Sequence, residues 1–332
     1  MFENLIEILK ANPRKIVYTE GTDARILESA ARLKKDGFLT PVLVGPVDEV
    51  KAAAAKGGFD IDGLEILDPA TYPGMDDMVK TMFELRKGKM SEEECHTALA
   101  KGNYFGTMLV KMGVADALLG GATYSTADTV RPALQIVKTR KGSNLVSSCF
   151  ILVRDGEMLC MGDCAINISY EDRKDKEGNV TLSAADQLAE VAIATAGTAK
   201  VFGMDPKVAM LSYSTKGSGK GANVDLVRNA TAIVKEKAPD LAVDGEMQFD
   251  AAVSPVVGQL KFPGSKVAGY ANTFIFPEIQ SGNIGYKIAQ RLGGFAAYGP
   301  ILQGLNAPIN DLSRGCDANE VYTMSIITAA LV

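Results

Sequence analysis

The order of apolar and polar residues predicts strands and helices in alternation. Short apolar runs suited to buried strands recur at residues 15–18, 41–44, 65–67, 117–119, 207–213, 241–243, 266–269 and 296–298. Longer segments between them repeat apolar residues with helical spacing, for instance 23–35, 126–139, 183–201, 224–237 and 280–292. Such alternation is typical of βα units around a mostly parallel sheet. The predicted fold class is therefore α/β.

One segment interrupts this rhythm and suggests a domain junction. Two strand-like runs at 145–153 and 158–164 flank the pair Asp155-Gly156. An Asp-Gly pair between apolar runs is a strong signal for a β-hairpin. Because a hairpin inserted among βαβ units suggests a change of domain, we place the first boundary near residue 143. The polar segment 168–180 is predicted to be an exposed loop.

Composition supports two domains in a soluble protein. The chain has 332 residues, of which 47% are hydrophobic and 23% are charged. It exceeds the length at which a single core stops growing. Apolar stretches such as 324–332 are well short of the roughly 20 residues of a membrane helix, and no signal-peptide pattern opens the chain. We therefore expect a cytosolic protein that does not enter a membrane.

The net charge and the numbers of cysteine and histidine residues limit the kinds of ligand and metal site that the chain can have. A net charge of −5 gives no general attraction to nucleic acid, so an anionic substrate would need locally gathered arginines. Five cysteines, an odd number, favour reduced thiols. Cys160 and Cys164 have the spacing of half a zinc site, but His96 is the one histidine and no second pair completes it. No metal site is predicted.

Two glycine-rich turns follow predicted strands, where helix N-termini and backbone N–H groups can hold an anion. The turn at 120–126 precedes the helix of Arg131, although Arg131 could equally be a surface residue. The turn at 212–222 satisfies a loose dinucleotide pattern through Gly217, Gly219 and Ala222. That pattern keeps a nicotinamide-dependent dehydrogenase as a rival interpretation.

Several further residues have simple structural interpretations. Asp317 and Glu320 have the spacing of a capping box at the start of the apolar helix that begins near residue 318. Arg86 fits a helix C-terminus and Lys287 a solvent-facing helix position. Cys164 could be a nucleophile, but no neighbouring base is visible, so packing is the default.

Six segments, in order along nearly the whole chain, resemble the phosphate acetyltransferase and butyryltransferase family. They are residues 125–133, 163–167, 210–218, 244–252, 272–277 and 308–315. The resemblance implies two α/β/α domains like those of isocitrate and isopropylmalate dehydrogenases, formed by 1–143 with 304–332 and by 144–303. It also implies a homodimer, an active site in the cleft between domains, and no cofactor, with coenzyme A as a substrate.

The resemblance also implies site residues. Ser313 and Arg314 would lie at the reacting centre. The family's catalytic aspartate, seven residues after the motif serine, corresponds to Glu320, with Asp317 as the alternative base. Residues expected to bind substrate or lie near it are Arg86, Arg131, Thr129, Cys164 and Lys287.

The implied reaction is acetyl transfer between acetyl-CoA and phosphate, giving coenzyme A and acetyl phosphate. A thiol with a pKa of about 8.5 is mostly protonated at neutral pH, so a carboxylate that removes its proton would make it a nucleophile. We expect direct attack in a ternary complex, without an acetyl-enzyme. A butyryl transferase is one alternative, and a catalytically silent acyl-CoA sensor is another, suggested by glutamate in place of the family's aspartate at Glu320.

Overall fold

The computed structural model describes residues 2–332, and these form two compact units. Unit 1 contains the chain up to Lys141 together with Leu305–Val332, and unit 2 is Gly142–Gly304. The division thus falls after residues 141 and 304, where the sequence suggested 143 and 303. Each unit is built around its own sheet.

Unit 1 contains a five-stranded parallel sheet in the order β13-β4-β1-β2-β3. Its strands are β1 Arg14–Tyr18, β2 Leu39–Val44, β3 Glu65–Leu67, β4 Ala117–Gly120 and β13 Ile309–Asp311. Its helices are α1 Glu3–Ala11, α2 Ala24–Asp36, α3 Val47–Gly57, α4 Met75–Arg86, α5 Glu92–Leu99, α6 Gly102–Lys111, α7 Thr126–Pro132 and α13 Ala318–Ala330. Fully buried β1 residues such as Ile16 and Val17 anchor the core.

The C-terminal helix α13 is covered by α1 and α2 and packs on β1 and β4. Its residues from Met324 to Ala330 are buried, which explains why the sequence there is almost entirely apolar. The hydroxyl of Tyr18 on β1 donates a hydrogen bond of 2.6 Å to Ser325 Oγ on α13. Helix α13 is therefore part of the core of unit 1.

Unit 2 contains a six-stranded mixed sheet in the order β10-β9-β11-β6-β5-β12. Its strands are β5 Ser147–Arg154, β6 Glu157–Gly162, β9 Lys207–Leu211, β10 Ala242–Met247, β11 Thr273–Ile275 and β12 Ala296–Gln303. A separate small hairpin pairs β7 Arg173–Lys174 with β8 Val180–Leu182. The helices are α8 Ala184–Val201, α9 Ala222–Lys237, α10 Phe249–Val253, α11 Pro255–Lys261 and α12 Ile279–Arg291.

The α/β class and the predicted hairpin are confirmed. Strands β5 and β6 pair antiparallel, and their turn places Asp155 at φ 50° and Gly156 at φ 83°. Two consecutive positive φ angles are what a tight hairpin turn requires. Three other adjacent pairs of this sheet are parallel, namely β10 with β9, β9 with β11, and β11 with β6.

Three local predictions were wrong. Residues 266–269 form turns rather than a strand, because Ser265 Oγ accepts the N–H groups of Val267 and Ala268 and Gly269 has φ 86°. The helix predicted over 126–139 leaves α-helical geometry at Pro132 and continues as a π-helical turn, Ala133–Val137. The polar segment 168–180 is exposed but contains β7.

Within residues 2–332, no helix is long and apolar enough to cross a membrane. The same part of the chain contains no cluster of three or more His, Cys, Asp or Glu side chains arranged to hold a metal ion. All five cysteines are free and buried.

Two helical glycines of unit 2 allow a matched test of packing. A Cβ at Gly282 on α12 would collide with the backbone of Asp163, whereas a Cβ at Gly197 on α8 would meet nothing. We expect Gly282→Ala to lower the free energy of unfolding by about 2 kcal/mol through overpacking. Gly197→Ala should raise it by up to about 1 kcal/mol through helix propensity. Urea denaturation measures both, and shifts of the same sign would contradict the described packing of α12.

Candidate active site

Three neighbouring strands of unit 1 end at one edge of the sheet, and their loops form the candidate site. Strands β13, β4 and β1 are adjacent and parallel, so their carboxyl ends lie together. The loops begin at Leu312, Gly121 and Thr19. Ligands of open α/β sheets bind at this kind of edge.

Arg25, near the start of α2, links two of these loops. Its Nη1 donates to the carbonyl oxygens of Arg314 at 2.9 Å and Cys316 at 3.1 Å, and its Nη2 donates to Ala122 O at 2.9 Å. The carboxylate of Asp23 accepts from Arg25 Nε and Nη2 at 2.9 and 2.8 Å. These bonds to Arg25, more than burial, set the pKa of Asp23, which is lowered. The guanidinium thus fixes the turn after β13 against the turn after β4.

The turn after β13 presents Ser313 and Arg314 to solvent. Cys316 N donates to Ser313 O at 3.0 Å, and Gly315 N donates to Ser313 Oγ at 3.3 Å. Leu312 N donates to Gly120 O at 2.7 Å, which holds the start of the turn against β4. Both side chains predicted at the reacting centre are therefore exposed, while the backbone that carries them is fixed by hydrogen bonds to Gly120 and Arg25.

Glu320 and Asp317 form the capping box that their spacing predicted. Asp317 Oδ1 accepts from Glu320 N at 2.8 Å, and Glu320 Oε2 accepts from Asp317 N at 3.2 Å. The box begins α13 directly after the Ser313 turn. Both carboxylates considered as bases are therefore near Ser313 in sequence and engaged in capping the same helix.

Asp311, at the end of β13, is a buried acid that the sequence analysis did not single out. Its side chain is 2% exposed and accepts from Thr126 Oγ1 and Thr129 Oγ1, both at 2.5 Å. Burial raises the pKa of Asp311 to about 6, the charge of Glu20 adds to the rise, and the two hydroxyls and Arg314 oppose it. Thr129, predicted to bind substrate, is buried with its hydroxyl bonded to Asp311.

Glu20, which follows β1, organises the turn after β4. Its carboxylate accepts from Gly121 N at 3.1 Å and from Thr123 N and Oγ1 at 2.6 and 2.8 Å. Sequence reasoning missed Glu20 and Arg25 as site residues. The position of Glu20 shortly after the first predicted strand, and of Arg25 at the start of the helix that follows, was the one signal that could have marked them.

Arg86 and Arg131 both lie near Tyr104 of α6. Burial raises the pKa of Tyr104, and the positive charges of Arg131 and Arg86 oppose that rise. Arg131 is exposed on α7, and Tyr104 OH donates to Gln135 Oε1 at 3.0 Å. A cavity of about 230 Å³ is lined by Leu85, Arg86, Lys87, Lys89, Leu134, Gln135 and Lys138. In the part of the chain that the structure describes, Arg86 Nε is buried without a hydrogen-bond partner.

Cys164 and Lys287 belong to unit 2. Cys164 is fully buried, its Sγ donates to Met161 O at 3.4 Å, and burial raises the pKa of its thiol well above the usual range. Asn283 Nδ2 on α12 donates to Cys164 O at 3.0 Å, and Lys287 lies exposed on the same helix. The two residues are thus connected through α12, but the thiol faces the core.

The glycine-rich turn before α9 is occupied by the protein's own carboxylate. Glu246 is buried, and its Oε1 accepts from Gly217 N at 2.7 Å and from Ser214 Oγ at 2.9 Å. Gly219 N donates to Ser214 Oγ at 2.8 Å. A dinucleotide fingerprint needs such N–H groups free for a pyrophosphate. This arrangement disfavours the dehydrogenase interpretation.

The fold is that of an acyl transferase family. The family model described as "Phosphate acetyl/butaryl transferase" matches residues 1–329, and the chain belongs to this family. The resemblance found in the sequence is thereby confirmed.

Particular relatives are similar over nearly their full length. A phosphate acetyltransferase of Bacillus subtilis (strain 168) is 51% identical over 330 residues, 99% of this chain and 98% of that protein. The structure of a phosphotransacetylase from Streptococcus pyogenes has 51% identity and a TM-score of 0.93, covering 99% of this chain and 97% of that one. The EutD phosphotransacetylase from Staphylococcus aureus has 46% identity and a TM-score of 0.88, with 99% and 98% covered.

The raised pKa of Asp311 predicts a pH-dependent difference in stability between the protein and its Asp311→Asn variant. The folded-state pKa of about 6 exceeds the ordinary value of 3.8, so protonation of Asp311 stabilises the fold fully below pH 3.8 and this stabilisation disappears as pH rises through 6. Asparagine lacks this dependence. The unfolding free energy of the variant, minus that of the wild type, should therefore increase by about 2 kcal/mol between pH 4 and 7.

Urea denaturation at several pH values measures this difference. A difference that stays constant, or decreases with pH, would contradict the buried environment described for Asp311.

Proposed function

We propose that this chain transfers an acetyl group between coenzyme A and inorganic phosphate, by direct attack within a ternary complex. The chain is an acyltransferase by family, and its relatives named phosphate acetyltransferase support acetyl as the group and phosphate as the acceptor. The observation that carries the mechanism is the exposed Ser313-Arg314 turn, held by Arg25 at the carboxyl edge of the sheet.

In the proposed step, the coenzyme A sulfur attacks the carbonyl carbon of acetyl phosphate. A new S–C bond forms, the C–O bond to phosphate breaks, and the thiol proton passes to a carboxylate, for which we propose Glu320. The Ser313 hydroxyl and the Arg314 guanidinium stabilise the negative carbonyl oxygen. Donors that are already in place at such an oxygen typically lower the barrier by about 3 kcal/mol each.

We propose that the cationic cavity at the end of α4 receives phosphate groups of coenzyme A. Arg86, Lys87, Lys89 and Lys138 line it, so several positive charges converge in a chain whose net charge is −5. Arginine forks bind phosphate in a bidentate manner, which suits Arg86 and Arg131 to anionic substrates. Lys287 of unit 2 is exposed and can bind an anionic group of a substrate. Thr129 and Cys164 are buried, so we propose that each supports the segment of its own unit and does not contact substrate.

We further propose that the protein is a homodimer in which α12 contributes to the interface. Ile284 and Ile288 on α12 and Leu292, which directly follows the helix, are spaced by four residues and are 57%, 53% and 86% exposed. A stripe of this kind on one helix face favours burial against another surface.

Function is tested by phosphate-dependent release of free thiol from acetyl-CoA, with chelator present and without nucleotide. We expect Arg314→Ala to reduce kcat about a hundredfold or more while the KM for acetyl-CoA changes little, because the charge is needed mainly in the transition state. Arg14→Ala, at the opposite end of β1, is the matched control and should retain turnover. Butyryl-CoA in parallel tests acyl-chain length.

Wild-type protein that releases no thiol would reject the function. An active Arg314→Ala variant would reject the role of Arg314.

Glu320→Gln separates the proposed base from the helix cap. Glutamine can still accept the N–H of Asp317, so we expect the unfolding free energy to change by less than about 1 kcal/mol. Loss of the proton acceptor should reduce kcat about a hundredfold. Asp317→Asn is the matched variant, since asparagine also caps, and it should keep most of its turnover. The reverse result would make Asp317 the base.

The dimer proposal predicts that Leu292→Glu weakens self-association, because it buries a charge in an apolar interface. Light scattering or sedimentation should give twice the chain mass for the wild type and a lower average mass for the variant at micromolar concentration. A wild-type mass of one chain would contradict the proposal.

A further inference from the structure

The carboxylate of Asp311 joins two segments of unit 1: helix α7, which carries Arg131, and the turn that carries Ser313 and Arg314. On one side it accepts the hydroxyls of Thr126 and Thr129, both in helix α7, which also carries Arg131. On the other side its own backbone ends β13 and leads directly to Ser313 and Arg314. One buried side chain is therefore the joint between α7 and the reacting-centre turn.

We propose that Asp311 is a positioning residue for acetyl transfer, which fixes α7 and its Arg131 relative to the turn of Ser313 and Arg314 through the hydroxyls of Thr126 and Thr129. This inference rests on the function proposed above. Asp311 itself is buried and touches no substrate in this role.

The backbone of two loops lies close to this carboxylate. Gly121 has φ 96°, and a Cβ there would collide with Asp311 Oδ1, so the backbone of the turn after β4 lies directly against the acid. Leu312 N is bonded to Gly120 O at 2.7 Å, which fixes the backbone beside Asp311. Each carboxylate oxygen receives its own hydroxyl. Burial of a neutral side chain costs less free energy than burial of a carboxylate. The amide of an asparagine, however, has only one oxygen that can accept the two hydroxyls.

Charged and titratable groups reach Asp311 from each neighbouring loop. Glu20 after β1 repels it, Arg314 after β13 attracts it, and its charge acts on Tyr124 in the turn after β4. Ionised Asp311 accepts two hydroxyls and attracts the guanidinium of Arg314. Protonated Asp311 must donate from one oxygen, so one threonine hydroxyl has to reverse or lose its bond, and the attraction to Arg314 disappears.

Kinetics of matched variants test the role. Asp311→Asn removes one acceptor, Thr126→Val removes one hydroxyl, and Thr126→Ser retains it. We expect the first two to reduce kcat about tenfold or more, and Thr126→Ser to stay within about threefold of the wild type. Wild-type kcat should decline as pH falls through about 6, and the Asp311→Asn variant should lack that decline.

A second readout does not depend on activity. In the wild type, the amide NMR signals of Thr129 and Ser313 should shift together with one midpoint near pH 6, and this titration should be absent in Asp311→Asn. Independent midpoints, or a titration that persists in the variant, would overturn the proposal. So would Asp311→Asn protein with wild-type kcat and an unchanged pH profile. A wild type without turnover rejects the proposed function, while the NMR titration still decides whether Asp311 couples the two segments.

Discussion

The guanidinium of Arg25 holds the backbone on which the proposed chemistry depends. Three carbonyl oxygens from two separate turns, those of Arg314, Cys316 and Ala122, point at one side chain. Carbonyl groups in a tight turn need donors, and a guanidinium offers five N–H groups in a fixed plane. Because Asp23 orients that plane, the turn is held while the side chains of Ser313 and Arg314 stay exposed.

Two carboxylates complete the arrangement at the same sheet edge. Glu20 gathers N–H and hydroxyl donors of the turn after β4, and Asp311 gathers two hydroxyls of α7. Their negative charges lie beneath a surface that presents Arg314 and Arg131. Donors and charges that are placed before substrate arrives need no reorganisation during the reaction, which is how a site of this kind lowers a barrier. Both acids thus hold uncharged donors of the surrounding loops.

Local features of the fold were predictable, whereas contacts distant in sequence were not. Continuous apolar runs predicted most strands, Asp155-Gly156 predicted the hairpin turn, and the Asp317–Glu320 spacing predicted the capping box. The apolar residues at 266–269 failed because buried turns and buried strands have the same composition. Strand β13 was missed because its three residues lie in a polar segment and are recognisable only by their pairing with β4.

The same distinction applies to the site. Motif resemblance assigned Ser313 and Arg314 to the reacting centre, and both side chains are exposed. It also assigned Thr129 to substrate, but the hydroxyl of Thr129 is bonded to Asp311, which is 182 positions away along the chain. Arg25 was missed for a similar reason, since the three carbonyl groups that it bonds lie 97 to 291 positions away.

We propose that Arg25 holds the Ser313-Arg314 turn in the geometry that transfers the acetyl group. The most direct test is kcat at saturating acetyl-CoA and phosphate for Arg25→Lys, with the folded state verified by its unfolding transition. Lysine keeps the charge but cannot bond three carbonyls in one plane, so kcat should fall about tenfold or more. A folded Arg25→Lys protein with the turnover of the wild type would contradict the account.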